Sequence, residues 1–341
     1  MKGKQESLKD TITSLNKKYG AGSVTTMKDG DERGIVEVIP TNCYSLDRVF
    51  GCGGFPRGRI IDIAGNESSG KSTLAMYIVS QVQKNGGKAA WVDAEMCFTT
   101  EYAQKLGVDT KNLLLMRPDS GEQALDMVEK LVNTRELDII VVDSTAALVP
   151  EKELKGEISD ANIALQARLM SKGLRMITAV ASRSKTTIVF ISQVRNKIGM
   201  FVGPSTTTTG GKALLFFSSV RLKVEKIKTL KRNSDNAIYG NRLRITAVKN
   251  KVGLPGKIAE FNLIFEKGID VVGDIVDEAK REGIVKVSGL TYSYAGEKLG
   301  TGRDVTITYL EDHRDVFEKI LEQLMMLGKD QDEKEIKKAK E

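Results

Sequence analysis

The stretch Gly65-Asn66-Glu67-Ser68-Ser69-Gly70-Lys71-Ser72 limits what this chain can fold into more than any other. Its spacing (glycine, four residues, glycine, lysine, serine) is that of a phosphate-binding loop. Ile60-Ile61-Asp62-Ile63 precedes it with strand character, and Leu74, Ile78 and Val82 follow at helical spacing. A strand–loop–helix unit of this kind belongs to an α/β fold. Glycine at 65 and 70 lets the backbone curl so that its N–H groups face a phosphate chain, and the helix beginning there adds its positive end. Lys71 is then placed to reach terminal phosphates and the Ser72 hydroxyl to ligate Mg2+, with Asn66, Glu67, Ser68, Ser69 and Thr73 completing the nucleotide-binding turn. A plain Gly/Ser-rich turn would explain the spacing but not the flanks.

The surrounding pattern agrees. Strands are predicted over 59–64, 88–93, 112–116, 138–143 and 186–192, with helices over 71–84, 121–133 and 162–182. Ile139-Ile140-Val141-Val142 is apolar at every position, as in a parallel strand covered on both faces. More strands are predicted over 213–224, 242–250 and 258–265, so the mostly parallel sheet gains members late in the chain. From about 269 the texture becomes that of a small α+β domain, with a helix over 271–282, strand pieces around Tyr292-Ser293-Tyr294 and a helix near 313–327. The predicted division is an N-terminal helix and linker at 1–34, a nucleotide-hydrolysing core at 35–268, the α+β domain at 269–327 and a disordered charged tail at 328–341. Residues 4–20 carry Leu8, Ile12, Leu15 and Tyr19 on one helical face, which either packs on its own core or docks on a neighbouring subunit.

Composition narrows the class. The N-terminus is charged and lacks the apolar core of a signal peptide, and no apolar run approaches a membrane span. Cys43, Cys52 and Cys97 are odd in number and lack metal-ligand spacing, so they read as reduced thiols of a cytoplasmic protein. The net charge of +7 permits a polyanionic partner without requiring one.

Other residues bear on chemistry. Asp143 closes the strand Ile139–Val142, where a phosphate-loop protein needs a second metal-shell carboxylate; a strand-end cap is the plainer role. Glu95 follows the strand through Ala90-Trp91-Val92-Asp93-Ala94 and could orient an attacking water, although glutamates after strands are routine. Gln193 ends the strand Ile188–Ser192, and its amide could contact a γ-phosphate. The stretch 195–211, with Arg195, Lys197, Gly199, Gly203, Thr206–Thr209, Gly210 and Gly211, is too polar to pack and long for a loop. Such groups suit a phosphodiester backbone, and a solvated lid is the alternative. Residues 153–164 form a shorter loop of the same kind. Lys249 and Lys251 sit at strand spacing, so they are either solvated lysines or a pair sharing one anion, such as a phosphate held between subunits.

Together these stretches resemble the bacterial RecA recombinase family over roughly 5–327. The resemblance is carried by Gly65–Thr73, Asp93-Ala94-Glu95, Tyr102–Asp109, Gly121–Leu125, Val141–Ser144, Ile191–Arg195, Thr207–Gly211 and Val248–Lys251. It implies a P-loop NTPase core and an ATP- and Mg2+-requiring, DNA-dependent ATPase. Such a protein coats single-stranded DNA as a helical homopolymer, pairs it with homologous double-stranded DNA and exchanges strands in recombination and repair. By the same resemblance Glu95 activates water, with Lys71 and Gln193 serving the γ-phosphate and Lys249 and Lys251 reaching the next subunit's ATP. Tyr102 and Phe265 flank adenine, and Ser72 and Asp143 hold the metal, the latter through water. Arg168, Arg175, Arg195, Lys197, Gly210 and Gly211 stand at DNA-contact positions, Ile163 and Ile198 at base-wedging ones. Phe216 resembles an interface residue, and the helix at 4–20 the polymerisation arm. The resemblance further implies cleavage of a LexA-type repressor in an SOS response, and filament-loading partners.

Four departures stand out. Thr99 replaces an aspartate usual near adenine, Thr206 a glutamate of the second loop, and Glu225 a basic residue beside the DNA path. The tail is not strongly acidic. The host, bacterial or phage, is open on sequence. A RecA-fold ring helicase and an ATP-gated DNA-binding protein with weak turnover remain the alternatives.

Overall fold

The computed structural model describes residues 7–20, 23–25, 36–157, 164–196, 206–208, 212–232 and 234–338. They fall into two units, Met1–Glu37 and Val38–Glu341. The first holds helix α1 (Leu8–Tyr19). The Ser7 hydroxyl caps it by accepting the Asp10 amide at 3.2 Å. Gly20, at φ +105°, ends it with its N–H on the Asn16 carbonyl. No α1 residue is buried, and Leu8 and Tyr19 on the apolar stripe are exposed.

The second unit begins β1 (Val38–Ile39), α2 (Tyr44–Phe50), β2 (Phe55–Pro56), β3 (Ile60–Gly65), α3 (Lys71–Lys84), β4 (Ala89–Asp93), α4 (Thr100–Lys105), β5 (Leu114–Met116), α5 (Gly121–Thr134) and β6 (Ile139–Asp143). After a 3-10 turn at Thr145–Ala147 come α6 (Glu151–Lys155), α7 (Leu165–Ser184), β7 (Thr187–Asn196), β8 (Thr206–Thr208), α8 (Ala213–Phe217), β9 (Val220–Lys231), β10 (Ile238–Asn250), β11 (Ile258–Ile264) and β12 (Gly268–Ile269). The last portion is α9 (Val271–Arg281), β13 (Lys286–Ser288), β14 (Thr291–Tyr294), β15 (Glu297–Thr301), α10 (Arg303–Asp312) and α11 (Arg314–Lys338).

The main sheet has the order β12-β11-β10-β9-β3-β7-β6-β4-β5, with β8 paired to β7. From β9 to β5 every neighbour is parallel. From β9 to β12 every neighbour is antiparallel. Because side chains alternate along a strand, the apolar runs divide between two cores. Ile61, Ile63, Trp91, Ile139, Val141, Val189 and Ile191 lie on one face with α2 and α3. Ile60, Ala90, Val92, Ile140, Val142, Ile188 and Phe190 lie on the other with α5 and α7. A sheet covered on both sides forces its functional groups to the strand ends, and here the carboxyl ends of β3, β4, β6 and β7 adjoin. Register places Gly65 opposite Gln193 and Asp93 opposite Asp143.

Residues 271–338 build a third core around Ile275, Val276, Leu310, Phe317, Ile320 and Leu324. This portion is tied to the sheet. α9 packs on α2 and β11, and the buried Asp274 carboxylate accepts the Ser45 amide at 3.0 Å and the Cys43 thiol at 3.4 Å. Asp277 takes Arg242 and Arg303, each at 2.9 Å.

Two expectations are corrected, and one helix was not foreseen. Residues 213–217 are helical rather than the start of a strand. Residues 303–312 form α10, which sequence periodicity did not suggest. The tail predicted to be disordered continues α11 through Lys338, and Gln331 fastens it by donating to Glu282 at 2.8 Å and accepting from Arg48 at 3.0 Å.

Candidate active site

The loop between β3 and α3 is shaped by what lies behind it. A side chain at Gly65 would put Cβ 2.5 Å from the Val224 carbonyl of neighbouring β9. Gly70 adopts φ +93°, and a Cβ there would meet Leu263 and Leu243 at 3.2 and 3.3 Å. The backbone is thereby pressed against β9 and β11, and α3 begins with no side chain capping its first amides. Those amides remain for an anion.

Inside the loop, Lys71 is buried and its Nζ donates to the Asn66 carbonyl at 2.7 Å. Burial lowers its pKa against the pull of Asp143, Glu95 and Glu67. The buried Ser69 hydroxyl has no hydrogen-bond partner. Asp143 is 3% exposed, and the Ser72 hydroxyl acts on its carboxylate. Burial raises its pKa to about 6, the Ser72 hydrogen bond opposing and the Glu95 charge adding to the rise. An orphan hydroxyl, a buried amine bonded to its own loop, and a carboxylate–hydroxyl pair fit a triphosphate with a hard divalent cation. No group of three or more His, Cys, Asp or Glu side chains among the described residues could itself hold a metal.

Glu95 projects from the turn after β4 and is exposed. The turn is pinned from two sides. The Ala94 and Glu95 amides donate to the Asp143 carbonyl at 2.9 and 3.3 Å. The fully buried Asp93 carboxylate accepts the Cys97 and Phe98 amides at 2.9 and 3.2 Å, with Arg117 at 3.4 Å. Glu95 Oε1 then accepts the Ser144 hydroxyl and, at 3.5 Å, the Gln193 amide. Residues from the ends of β4, β6 and β7 thus meet beside the loop.

The residues expected to flank a base lie on neighbouring segments. The Thr73 and Tyr102 hydroxyls are 3.0 Å apart. Lys105 pairs with Glu266 at 2.6 Å, drawing the helix of Tyr102 to the turn of Phe265. Thr99 begins that helix and is exposed.

Lys249 is elsewhere engaged. Its Nζ donates to the Leu215 carbonyl and, at 3.1 Å, to that of Phe216, closing the end of α8. Burial, Lys251 and Arg221 all lower its pKa. Phe216 itself is 70% exposed. On the face of α7, Arg168 and Arg175 are both exposed. Lys172, which the sequence reading passed over, lies between them at i+4 and forms one basic stripe with them. Arg195 falls within β7 by its backbone and its side chain is not described, whereas Ile163, Lys197, Ile198, Gly210 and Gly211 lie outside the described residues. Thr206 pairs with Asn196 across β7 and β8. Glu225 pairs with Lys223 at 2.8 Å. Sequence reasoning also missed Ser144, Asp93 and Arg117. The 168/172/175 spacing could have disclosed Lys172, but the contacts of the other three depend on strand order.

A family model described as RecA N-terminal domain matches residues 6–270, and one described as RecA C-terminal domain matches 273–327. Protein RecA of Heliobacterium modesticaldum is 48% identical over 310 residues, covering 91% of this chain and 89% of that protein. Protein RecA of Syntrophus aciditrophicus is 48% identical over 313 residues, covering 92% and 91%. Among solved structures, the RadB recombinase superposes with a TM-score of 0.53 at 20% identity, over 68% of this chain and 98% of that one, a likeness of fold.

Proposed function

The chain belongs to the RecA family, and from that premise we propose that it forms ATP-gated helical filaments on single-stranded DNA, pairs the bound strand with a homologous duplex and exchanges strands. It is a DNA-dependent ATPase of recombination and DNA repair, binding nucleotide and DNA.

The observation that carries this reading is the meeting of Glu95 and Gln193 beside the phosphate loop, 98 residues apart in sequence. Lys71, released from the Asn66 carbonyl, would bind the terminal phosphates, and the Gly65–Ser72 amides would bind the phosphates preceding them. Ser72 would hold Mg2+ directly and Asp143 through water; the ion, when bound, supplies charge neutralisation at the β- and γ-phosphate oxygens. Glu95 would orient a water and accept its proton. Gln193 would bond the γ-phosphate or Glu95 according to whether that phosphate is present. β7 continues into 194–211, so a shift of Gln193 bears directly on the segment to which we assign DNA, together with 153–164 and the basic stripe of α7. Tyr102 and Phe265 would flank the base. Lys249 and Lys251 would face the nucleotide of a second copy, and α1 would dock on that copy through its unburied stripe. A nucleotide contacted from both copies shifts assembly because its γ-phosphate is bound differently in the two states. Backbone contacts carry no sequence information, so base pairing tests homology.

No helix among the described residues is long and apolar enough to cross a membrane, and we propose the cytoplasm as the place of action. We also propose that the filament promotes self-cleavage of a LexA-type repressor and is assisted by loading proteins; a repressor-cleavage assay tests the former. The test of the main reading is electron microscopy with single-stranded DNA, Mg2+ and a non-hydrolysable ATP analogue, paired with turnover with and without DNA. Helical filaments and DNA-stimulated turnover are expected. Rings would favour a helicase, and filaments without turnover a gated binder.

A further inference from the structure

We infer that Ser144 is a positioning residue for ATP hydrolysis, fixing the Glu95 carboxylate through its hydroxyl; this rests on the reading of Glu95 as the group that activates water. Ser144 is 1% exposed, whereas the glutamate it holds is exposed. An exposed glutamate samples several rotamers, and a general base must sit within hydrogen-bond reach of its proton to act. Something rigid must therefore select one orientation. The backbone beneath Glu95 is fixed by Asp143 and Asp93, but those bonds leave the side-chain torsions free. Among the described residues two groups act on the carboxylate itself, and both act on Oε1: the Ser144 hydroxyl and the Gln193 amide. The Gln193 contact is long at 3.5 Å, at the limit of a hydrogen bond. Ser144 is thus the firmer of the two. Its bond to an ionised acceptor is of the stronger, charge-assisted kind. With Oε1 occupied, Oε2 is the oxygen left to a water.

The placement has a second consequence. Ser144 follows Asp143 directly, and the neighbouring Thr145 hydroxyl lies 3.4 Å from that of Ser192, the residue before Gln193. The segment that supplies the metal-shell carboxylate therefore also supplies the hydroxyl that aims the base, and it touches the strand that carries Gln193. When Gln193 leaves Glu95, Ser144 keeps the carboxylate in place.

A buried serine bonded to the nearest acceptor for packing alone would look similar, so the test is a double-variant cycle. Ser144→Ala in the full-length protein should lower the DNA-stimulated kcat about tenfold, a part of what a general base contributes. The KM for ATP and binding to oligonucleotide with a non-hydrolysable analogue should stay within about twofold. In a Glu95→Gln background, adding Ser144→Ala should cost nothing further. Ser144→Cys, which keeps the volume but offers a weak donor, should behave like Ser144→Ala. It serves alone if the alanine variant does not fold. Equal losses in both backgrounds, or wild-type kcat in a folded variant, would overturn the inference. If Glu95→Gln by itself leaves turnover intact, the reading of Glu95 has failed and Ser144 loses its role with it.

Discussion

The Lys71 ammonium donates to the Asn66 carbonyl 2.7 Å away, so the loop's own backbone holds the amine to which we assign the phosphates. Removing it takes away a buried cation that a triphosphate requires. Lys71→Ala should weaken nucleotide-dependent DNA binding by more than about a hundredfold, in keeping with a desolvated charge pair of roughly 3 kcal/mol or more. Fluorescence anisotropy of a labelled oligonucleotide, with and without ATP, measures it. Undiminished ATP-dependent binding would remove the loop from the mechanism.

Glu95→Gln keeps the size of the side chain and its hydrogen bond from Ser144 but cannot take a proton. Turnover should fall by about a hundredfold or more, while filaments assembled with ATP should persist longer than those of the unaltered protein. A variant that turns over normally yet fails to assemble would reverse the assignment.

Stability should run against pH in an unusual direction. Burial lifts Asp47 and Glu278 to about 7 and Asp62 and Asp143 to about 6, whereas in the unfolded chain such groups titrate near 4. Between roughly 4 and 7 the folded state therefore holds more protons than the unfolded one. The free energy of unfolding falls as pH rises through that window, by at most about 1.4 kcal/mol per pH unit for each titrating group, and levels off above it. Asp277 acts oppositely. Its pKa is lowered by Arg303 and Arg242 against the effect of burial, so its contribution is lost in stronger acid. The nucleotide-free protein should melt highest near pH 5, and Asp47→Asn should flatten the decline toward pH 7.5. A melting temperature that climbs from pH 5 to 7.5 would contradict the burial argument.

Arg303 joins Asp277 at 2.9 Å and Asp270 at 3.3 Å where the last domain meets the sheet. Arg303→Ala leaves two partly buried carboxylates with one cation fewer and should destabilise the protein by about 2–4 kcal/mol. Hydrogen exchange should report the loss first in α9 and α10. Uniform loss across the parallel strands would mean that the seam is not a separate unit of stability.

DNA affinity should fall steeply with salt, because phosphate contacts release counterions. If Arg168 and Lys172 on α7 each neutralise one phosphate, replacing both with alanine should reduce the slope of log affinity against log salt by about 1.4. An unchanged slope would take that face of α7 off the DNA path.

Much of the molecule was legible in its sequence because local patterns and tertiary needs coincided there. Ile60–Ile63 and Ile139–Val142 are apolar because both faces are covered, and the glycines at 65 and 70 stand where a Cβ would strike β9 and β11. The misses have the opposite cause. Ala213–Phe217 is an apolar run without period and reads as a strand, yet Lys249 closes it as a helical turn. In α10, Val305-Thr306-Ile307-Thr308 favours a strand by propensity, but Thr306 and Leu310 are buried one helical turn apart, Leu310 in the third core, and that packing prevails. Ser144 carried no signal because its acceptor lies 49 residues away. The seam that Arg242 and Arg303 form around Asp277 was invisible for the same reason.

Ser45 and Asp274, joined at 3.0 Å, lie 229 residues apart. A ribosome that has released β1 through β12 has therefore exported a sheet whose first helix still lacks its cover. The Ser45 amide and the Cys43 thiol lack their carboxylate acceptor until α9 has been made. An early helix of this core is thus sealed by one 229 residues later, and a chain cut before residue 271 would leave α2 without that cover.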